Sequence, residues 1–142
     1  MTSYLDVYVN FKDNAREALT FYHSVLGGQL TVTTFGEARA SDNPADQDLL
    51  MHGQLEAEHG LRIMASDTPS FMEAATHGGF SLALNGDDRE LLTSYYEQLS
   101  ADGTIVEPLT LAPWGDTFGM FVDKFGINWM VSIAGAPTDL GE

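Results

Sequence analysis

The 142-residue chain carries 21 acidic against 6 basic side chains, a formal charge of −15, and 44% of its residues are hydrophobic. With eight Phe, five Tyr and two Trp, it has enough apolar surface to bury a core, which excludes a chain disordered throughout. The charge disfavours nucleic acid and anionic membrane surfaces as partners, and the absence of cysteine removes disulfides, thiolate chemistry and thiolate metal sites.

Residues 4–11 alternate Leu5, Val7, Val9 and Phe11 with Tyr4, Asp6, Tyr8 and Asn10, the period of a half-buried strand. Asn14 with Glu17 three positions on has the form of a capping box. Ala15, Ala18, Leu19, Tyr22, Val25 and Leu26 then follow at helical spacing, and Gly27-Gly28 ends the helix. Residues 29–35 have the β-branched content of a second strand. Residues 36–47 form a polar loop, either a lid or a mobile connection. A hairpin over 49–57 and 61–66 follows. Residues 67–79 form a bridge in which Thr68-Pro69 predicts one short helix.

The order then recurs. Residues 80–85 predict a strand, and Asp87 with Glu90 a second capping box. Leu91, Leu92, Tyr95 and Leu99 form a helical stripe that Gly103 ends, and residues 104–107 predict the next strand. Trp114-Gly115-Asp116 parallels Phe35-Gly36-Glu37, a final hairpin runs to residue 133, and residues 136–142 have the character of a frayed tail.

This recurrence is an internal repeat. Residues 119–133 overlay the stretch that begins at residue 53 at an offset of 66, matching Gly119 with Gly53, Gly126 with Gly60, Met130 with Met64 and Ser132 with Ser66. The helices overlay at an offset of 73. The expectation is a single α+β domain over 1–142, built from module one (4–66) and module two (80–133). Each module is βαβββ with its helix on one sheet face. Two such sheets would form a curved, cleft-enclosing mixed β-sheet with helices outside, and a ligand would bind in the cleft.

The paired βαβββ modules, Phe21-Tyr22 ahead of Val25-Leu26-Gly27-Gly28, and the ending Asp123, Gly126, Trp129-Met130 resemble the vicinal oxygen chelate superfamily. That is the group of glyoxalase I, bleomycin-resistance proteins and extradiol dioxygenases. Asn14-Ala15 before Glu17-Ala18, Phe35-Gly36-Glu37, Met64-Ala65-Ser66-Asp67 and the run from Asp123 to Met130 resemble its PhnB-like branch. The resemblance spans roughly residues 4–133 and implies a homodimer that takes a small-molecule ligand. A cytoplasmic location is the default expectation from residues 1–10, which lack a basic stretch ahead of an apolar one, and from the lack of any apolar run of membrane-spanning length.

The resemblance also implies where a divalent metal would sit, held by a His or Glu on the first and the last strand of each module. Those positions fall on Tyr8 and Met64, and on Ser81 and Met130, none of them a good ligand for a hard or borderline ion. No metal and no cofactor is therefore expected, and the paired Met are read as adaptable apolar lining.

Counting back from the hairpin turns places His52 and Gln54 on the strand face of Met64 and Ser66. The same count places Phe118, Met120 and Met130 on the cleft face and sends Phe121 and Trp129 to the helix side. Phe35 and Trp114 are positioned to flank the opening. His52 is either a ligand contact or a structural group in the cleft wall, with Asp6 the one acid placed to orient it. His23, His59 and His77 fall on a helix surface, in a hairpin turn and in the bridge.

The candidate ligand-binding set is Tyr8, His52, Gln54, Met64, Ser81, Trp114, Phe118, Met120 and Met130, with no catalytic residue assigned. The function expected is binding of an apolar or aromatic small molecule, cationic where the acidic rim selects its charge. The alternative is a metal-dependent lyase, isomerase or dioxygenase of the same superfamily. No methyl-donor motif and no basic cluster suited to a phosphonate is present.

Overall fold

The computed structural model describes residues 4–74 and 76–135; the expected frayed tail lies outside them. The chain divides into two units, Met1–Thr76 and His77–Glu142, and the boundary falls in the sequence-predicted bridge.

The first unit runs β1 (Val7–Phe11), α1 (Ala15–Leu26), β2 (Gln29–Thr34), α2 (Phe35–Ala38), β3 (Leu50–Glu56) and β4 (Arg62–Asp67). Its sheet has the order β1-β4-β3-β2, parallel between β1 and β4 and antiparallel elsewhere. The second unit repeats the plan with β5 (Leu82–Gly86), α3 (Arg89–Leu99), β6 (Thr104–Leu111), β7 (Thr117–Val122) and β8 (Asn128–Ile133), in the order β5-β8-β7-β6. Two four-stranded mixed sheets, each with one long helix, make up the α+β fold read from the repeat.

Each core lies between helix and sheet. α1 buries Ala15, Ala18, Leu19, Tyr22 and Leu26, and the sheet buries Val9, Phe11, Leu55, Ile63 and Ala65. In the second unit Leu92, Tyr95, Tyr96 and Leu99 of α3 are buried together with Leu84, Phe121, Trp129, Val131 and Ile133. Phe121 stacks on Trp129 at 6.2 Å and meets Tyr96 edge-on at 5.2 Å, so the aromatic pair read as helix-facing is the centre of that core. Strand alternation then turns the intervening side chains to the other face.

The repeated glycines are explained by contact. A Cβ on Gly53 would come 2.3 Å from Leu19 Cδ1, and one on Gly119 would come 2.7 Å from Tyr96 Cε2. Both let the helix approach the sheet closely. At the hairpin turns the reason is conformational: Gly60 and Gly126 have φ of 76° and 83°, where a side chain is strained.

Both expected capping boxes are corrected. Asn14 makes no side-chain cap; instead Asp67 Oδ1 accepts from Ala15 N at 2.8 Å, and its Oδ2 accepts from Leu50 N at 2.9 Å. Parallel pairing sets Asp67 beside Phe11, so the far end of β4 reaches the start of α1. In the second unit the cap is Asp88, which accepts from Leu91 N at 3.1 Å. Because α3 starts at Arg89, Glu90 falls one position short of where a box needs it. Among the described residues a complete capping box is formed by Thr34 and Glu37, on α2.

Three further segments differ from expectation. The predicted strand over 104–107 extends to Leu111, with register slips between Ile105 and Glu107 and between Glu107 and Thr110. The bridge carries a turn at residues 70–71 and no helix among its described residues. The polar stretch 36–47 holds most of α2 and a short 3₁₀ turn, Pro44–Asp46, and is tied down. Asp46 is 1% exposed; its Oδ1 accepts from Ser70 N at 2.9 Å, and its Oδ2 from Ser70 Oγ at 2.8 Å and Ser41 Oγ at 2.7 Å. The Ser41 hydroxyl first, then the Ser70 hydroxyl and amide, hold the Asp46 carboxyl below its ordinary value despite the opposing effect of burial.

Candidate functional site

In the first unit the register puts Tyr8 and Gln54 on either side of Met64, Asn10 beside Ser66, and His52 beside Thr33. All lie on the sheet face turned away from α1. The Tyr8 hydroxyl is 3.3 Å from His52 Nδ1, with the rings tilted by 42°. Gln54 Nε2 donates to Glu56 Oε1 at 2.7 Å, and Ser66 Oγ donates to Asn10 Oδ1 at 3.1 Å.

Asp6 does not orient His52. It lies 3.0 Å from Arg62 Nε, because the pairing of Val7 with Ile63 sets the residues just before them side by side. Arg62 also covers the Tyr4 ring at 4.2 Å. The group against His52 is therefore a phenol, which holds the ring without supplying the negative charge that an oriented catalytic base uses.

In the second unit Met130 pairs with Met120 and Ala83, and Phe118 pairs with Ser132, on the face away from α3. Ser81 precedes β5, and the residue beside Met130 is Ala83. The first strands overlay at an offset of 75, from Tyr8 to Ala83, not at the 73 that the helices keep. This corrects the equivalence of Tyr8 with Ser81; the two differing offsets reflect a strand-to-helix connection of unequal length in the two units.

Trp114 sits in the turn between β6 and β7, is 64% exposed, and meets Phe118 edge-on at 5.9 Å. Trp114, Phe118 and Met120, with Glu107, Thr110 and Leu111, line a concavity of about 290 Å³. A second concavity of about 360 Å³ is lined by Phe80, Ser81, Val106, Met120 and Asn128 among others. Met120 is common to both. Glu107 escaped the sequence reading because it lies where β6 slips register, so simple alternation does not assign its face. Its carbonyl accepts from the Tyr96 hydroxyl at 2.9 Å; burial first, and the Glu107 charge second, raise the Tyr96 pKa above its ordinary 10.0.

Phe35 and Trp114 differ more than their pseudo-equivalence suggests. Phe35 is buried at the start of α2, whereas Trp114 projects outward. Of the remaining histidines, His23 Nε2 lies 2.9 Å from the Gly28 carbonyl, and His59 occupies a positive-φ position of the β3–β4 turn, next to Gly60.

The donor set at the family's chelate positions is a phenol (Tyr8), two thioethers (Met64 and Met130) and, by register, a methyl group (Ala83). Such donors do not fit a hard or borderline divalent ion. Among the described residues no three His, Cys, Asp or Glu side chains gather into a ligand cluster. No helix among them is long and apolar enough to cross a membrane.

Tandem βαβββ units with a helix on one face and a mixed side-chain set on the other define the glyoxalase/bleomycin-resistance class. Sequence comparison agrees: the model of the Glyoxalase/Bleomycin resistance protein/Dioxygenase superfamily matches residues 5–131, and the chain belongs to that superfamily. It is 28% identical over 141 residues to Protein YjdN of Escherichia coli, covering 91% of this chain and 94% of that one. The structure of PA1353 from Pseudomonas aeruginosa is similar at 34% identity and a TM-score of 0.78, over 94% of this chain and all of that one. A PhnB protein from Bacillus cereus, described as a putative 3-demethylubiquinone-9 3-methyltransferase, shares the fold at 22% identity and a TM-score of 0.74, over 93% and 100% of the two chains.

Proposed function

We propose that this protein is a PhnB-like binder of small apolar or aromatic molecules, that it favours those carrying positive charge, and that it binds them without a metal. One observation carries the reading: Trp114, Phe118 and Met120 come together in a single concavity of about 290 Å³ with Glu107 among its lining residues. Aromatic faces attract cations through their quadrupole, an interaction of about 0.5–2 kcal/mol that grows as water is excluded. Met supplies a polarizable, adaptable wall. A carboxylate at such a site and a net charge of −15 both favour an ammonium or amidinium group and repel an anion.

The open face of the first unit supplies polar contacts of another kind: Tyr8, His52 and Gln54 around Met64. Their chemistry is hydrogen bonding to a neutral ligand rather than acid–base catalysis, since Asp6 is engaged by Arg62. Ser81 and Met130 are assigned the same supporting role in the second unit. The Met and Ala at the chelate positions support binding without turnover of the metal-dependent kind.

The test is calorimetric titration with benzyltrimethylammonium and with its neutral isostere neopentylbenzene. The cation is expected to bind about 2- to 30-fold more tightly, and Trp114→Ala to remove that preference. Equal binding of the two probes, or a preference that survives Trp114→Ala, would remove the basis for the assignment.

A further inference from the structure

A third concavity, in the first unit, involves none of the residues assigned above to ligand binding. It measures about 290 Å³, and Phe35, Met51, Phe71 and Met72 form its apolar wall. Asn10 and Ser66 lie on its floor, joined by the Ser66 hydroxyl donating to Asn10 Oδ1 at 3.1 Å. Asp67 and Glu73 are its charged lining residues, and no Lys or Arg is among them.

The rim is unusual in what holds it. Phe71 is 67% exposed and Met72 61% exposed, an arrangement that water opposes. A loop free to choose would fold these side chains inward or leave them disordered. Here the backbone around them is fastened at several points. Thr68 N donates to the Lys12 carbonyl at 3.1 Å, and Thr68 Oγ1 to the Phe11 carbonyl at 2.8 Å. Ser70 is held by both oxygens of the buried Asp46, and Asn43 Nδ2 donates to Ser70 Oγ at 3.0 Å. A carboxylate withdrawn from water is costly unless hydrogen-bonded, and this one commits two of its three hydrogen bonds to Ser70, fixing a rim that presents Phe and Met to solvent. Such preorganisation removes ordering costs that a ligand would otherwise meet on binding.

We infer that this concavity is a second ligand site, one that takes a neutral or cationic aromatic molecule of one or two rings. Its size lies at the lower end of small-molecule pockets, which run from about 300 to 1,000 Å³, and is too small for a helix or a folded partner. The apolar wall fits an aromatic face, the Asn10–Ser66 pair offers one polar anchor, and Glu73, with no Lys or Arg beside it, disfavours anions. Asp46 is the positioning residue: it touches no ligand and sets the rim through Ser70.

The test uses the full chain and the neutral two-ring fluorophore 6-propionyl-2-(dimethylamino)naphthalene, whose emission rises and shifts to shorter wavelength in apolar surroundings. Phe71→Ala with Met72→Ala is expected to weaken one component of its binding about tenfold or more, and that component persists in Trp114→Ala. Asp46→Asn is expected to weaken binding with every lining side chain intact, a loss that a merely apolar patch would not show. Because Phe71 and Met72 are exposed, their variants test the site even if Asp46→Asn fails to fold. Binding abolished by Trp114→Ala alone would overturn this inference and leave the proposed function standing. An unchanged titration in the Phe71/Met72 variant would also overturn it. Dissociation of a dimer in that variant by sedimentation, without loss of probe binding, would identify the face as a contact between copies and overturn it too.

Discussion

Asp67 is the sharpest point at which to perturb the first unit. It is buried, and each carboxylate oxygen takes one backbone N–H: Ala15 N at 2.8 Å at the head of α1, and Leu50 N at 2.9 Å at the head of β3. Asp67→Ala removes both acceptors. The helix-cap bond is worth about 0.5–2 kcal/mol, and leaving the Leu50 N–H buried without a partner costs about 1–3 kcal/mol. The sum is roughly 3 kcal/mol, a large fraction of the stability of a small domain. Asp67→Asn keeps one oxygen and turns an amide N–H₂ toward the other donor, so it should lose about half as much. The assay is urea unfolding followed by circular dichroism, with stability taken from the midpoint at constant slope. An Asp67→Ala variant within about 0.5 kcal/mol of the parent, the range of an ordinary surface substitution, would refute this account of the junction. So would an Asn variant as damaged as the Ala one.

Gly53→Ala drives a methyl into Leu19 Cδ1 and should cost about 1–3 kcal/mol by overpacking. Combined with Leu19→Ala it should cost clearly less than the two single changes added together, and strict additivity in that double-mutant cycle would show that the close approach is not the cause. Gly119→Ala should be at least as damaging, because the added Cβ meets the Leu109 backbone at 3.0 Å as well as Tyr96. The stabilisation that Asp46 gives the 41–47 segment has a defined pH sense, since its folded pKa lies below the ordinary 3.8. The contribution is complete above that value and is lost as pH falls through the depressed folded pKa. The stability difference between the parent and Asp46→Asn, measured by urea unfolding across pH, should therefore be constant near neutrality and vanish in acid; a difference that grows on acidification would contradict it.

What the sequence made legible was whatever repeats locally. The helical stripe of α1, the alternation in β1 and the glycines at 53, 60, 119 and 126 each constrain neighbours within a few residues, so pattern alone locates them. The faces of His52, Gln54, Met120 and Met130 followed from counting along hairpins. The errors arose where distant segments meet. Asn14 has the right chemistry for a cap, but an acceptor 52 residues beyond Ala15 takes the role. Asp6 is free to orient a histidine until the parallel pairing brings Arg62 alongside it. Ser81 was aligned with Tyr8 because one offset was carried from helix to strand, and only the strand register reveals the difference. The Asp46 fastening joins residues 24 apart across a polar stretch that composition alone reads as loose.

The irregular pairing of β6 bears on how the protein behaves when crowded. The strand closes one edge of its sheet, with Ile105, Val106 and Leu111 exposed along it, a ready template for strand-by-strand polymerisation. Pro108 offers no amide hydrogen and lies within the second of the two register slips, so an incoming strand meets an interrupted ladder. Repulsion between chains of charge −15 adds a longer-ranged barrier, one that salt shortens to about 8 Å at physiological ionic strength. The protein thus displays oily side chains to water while keeping the backbone beneath them unfit for fibril growth, a safeguard that would persist in brine where charge alone would fail.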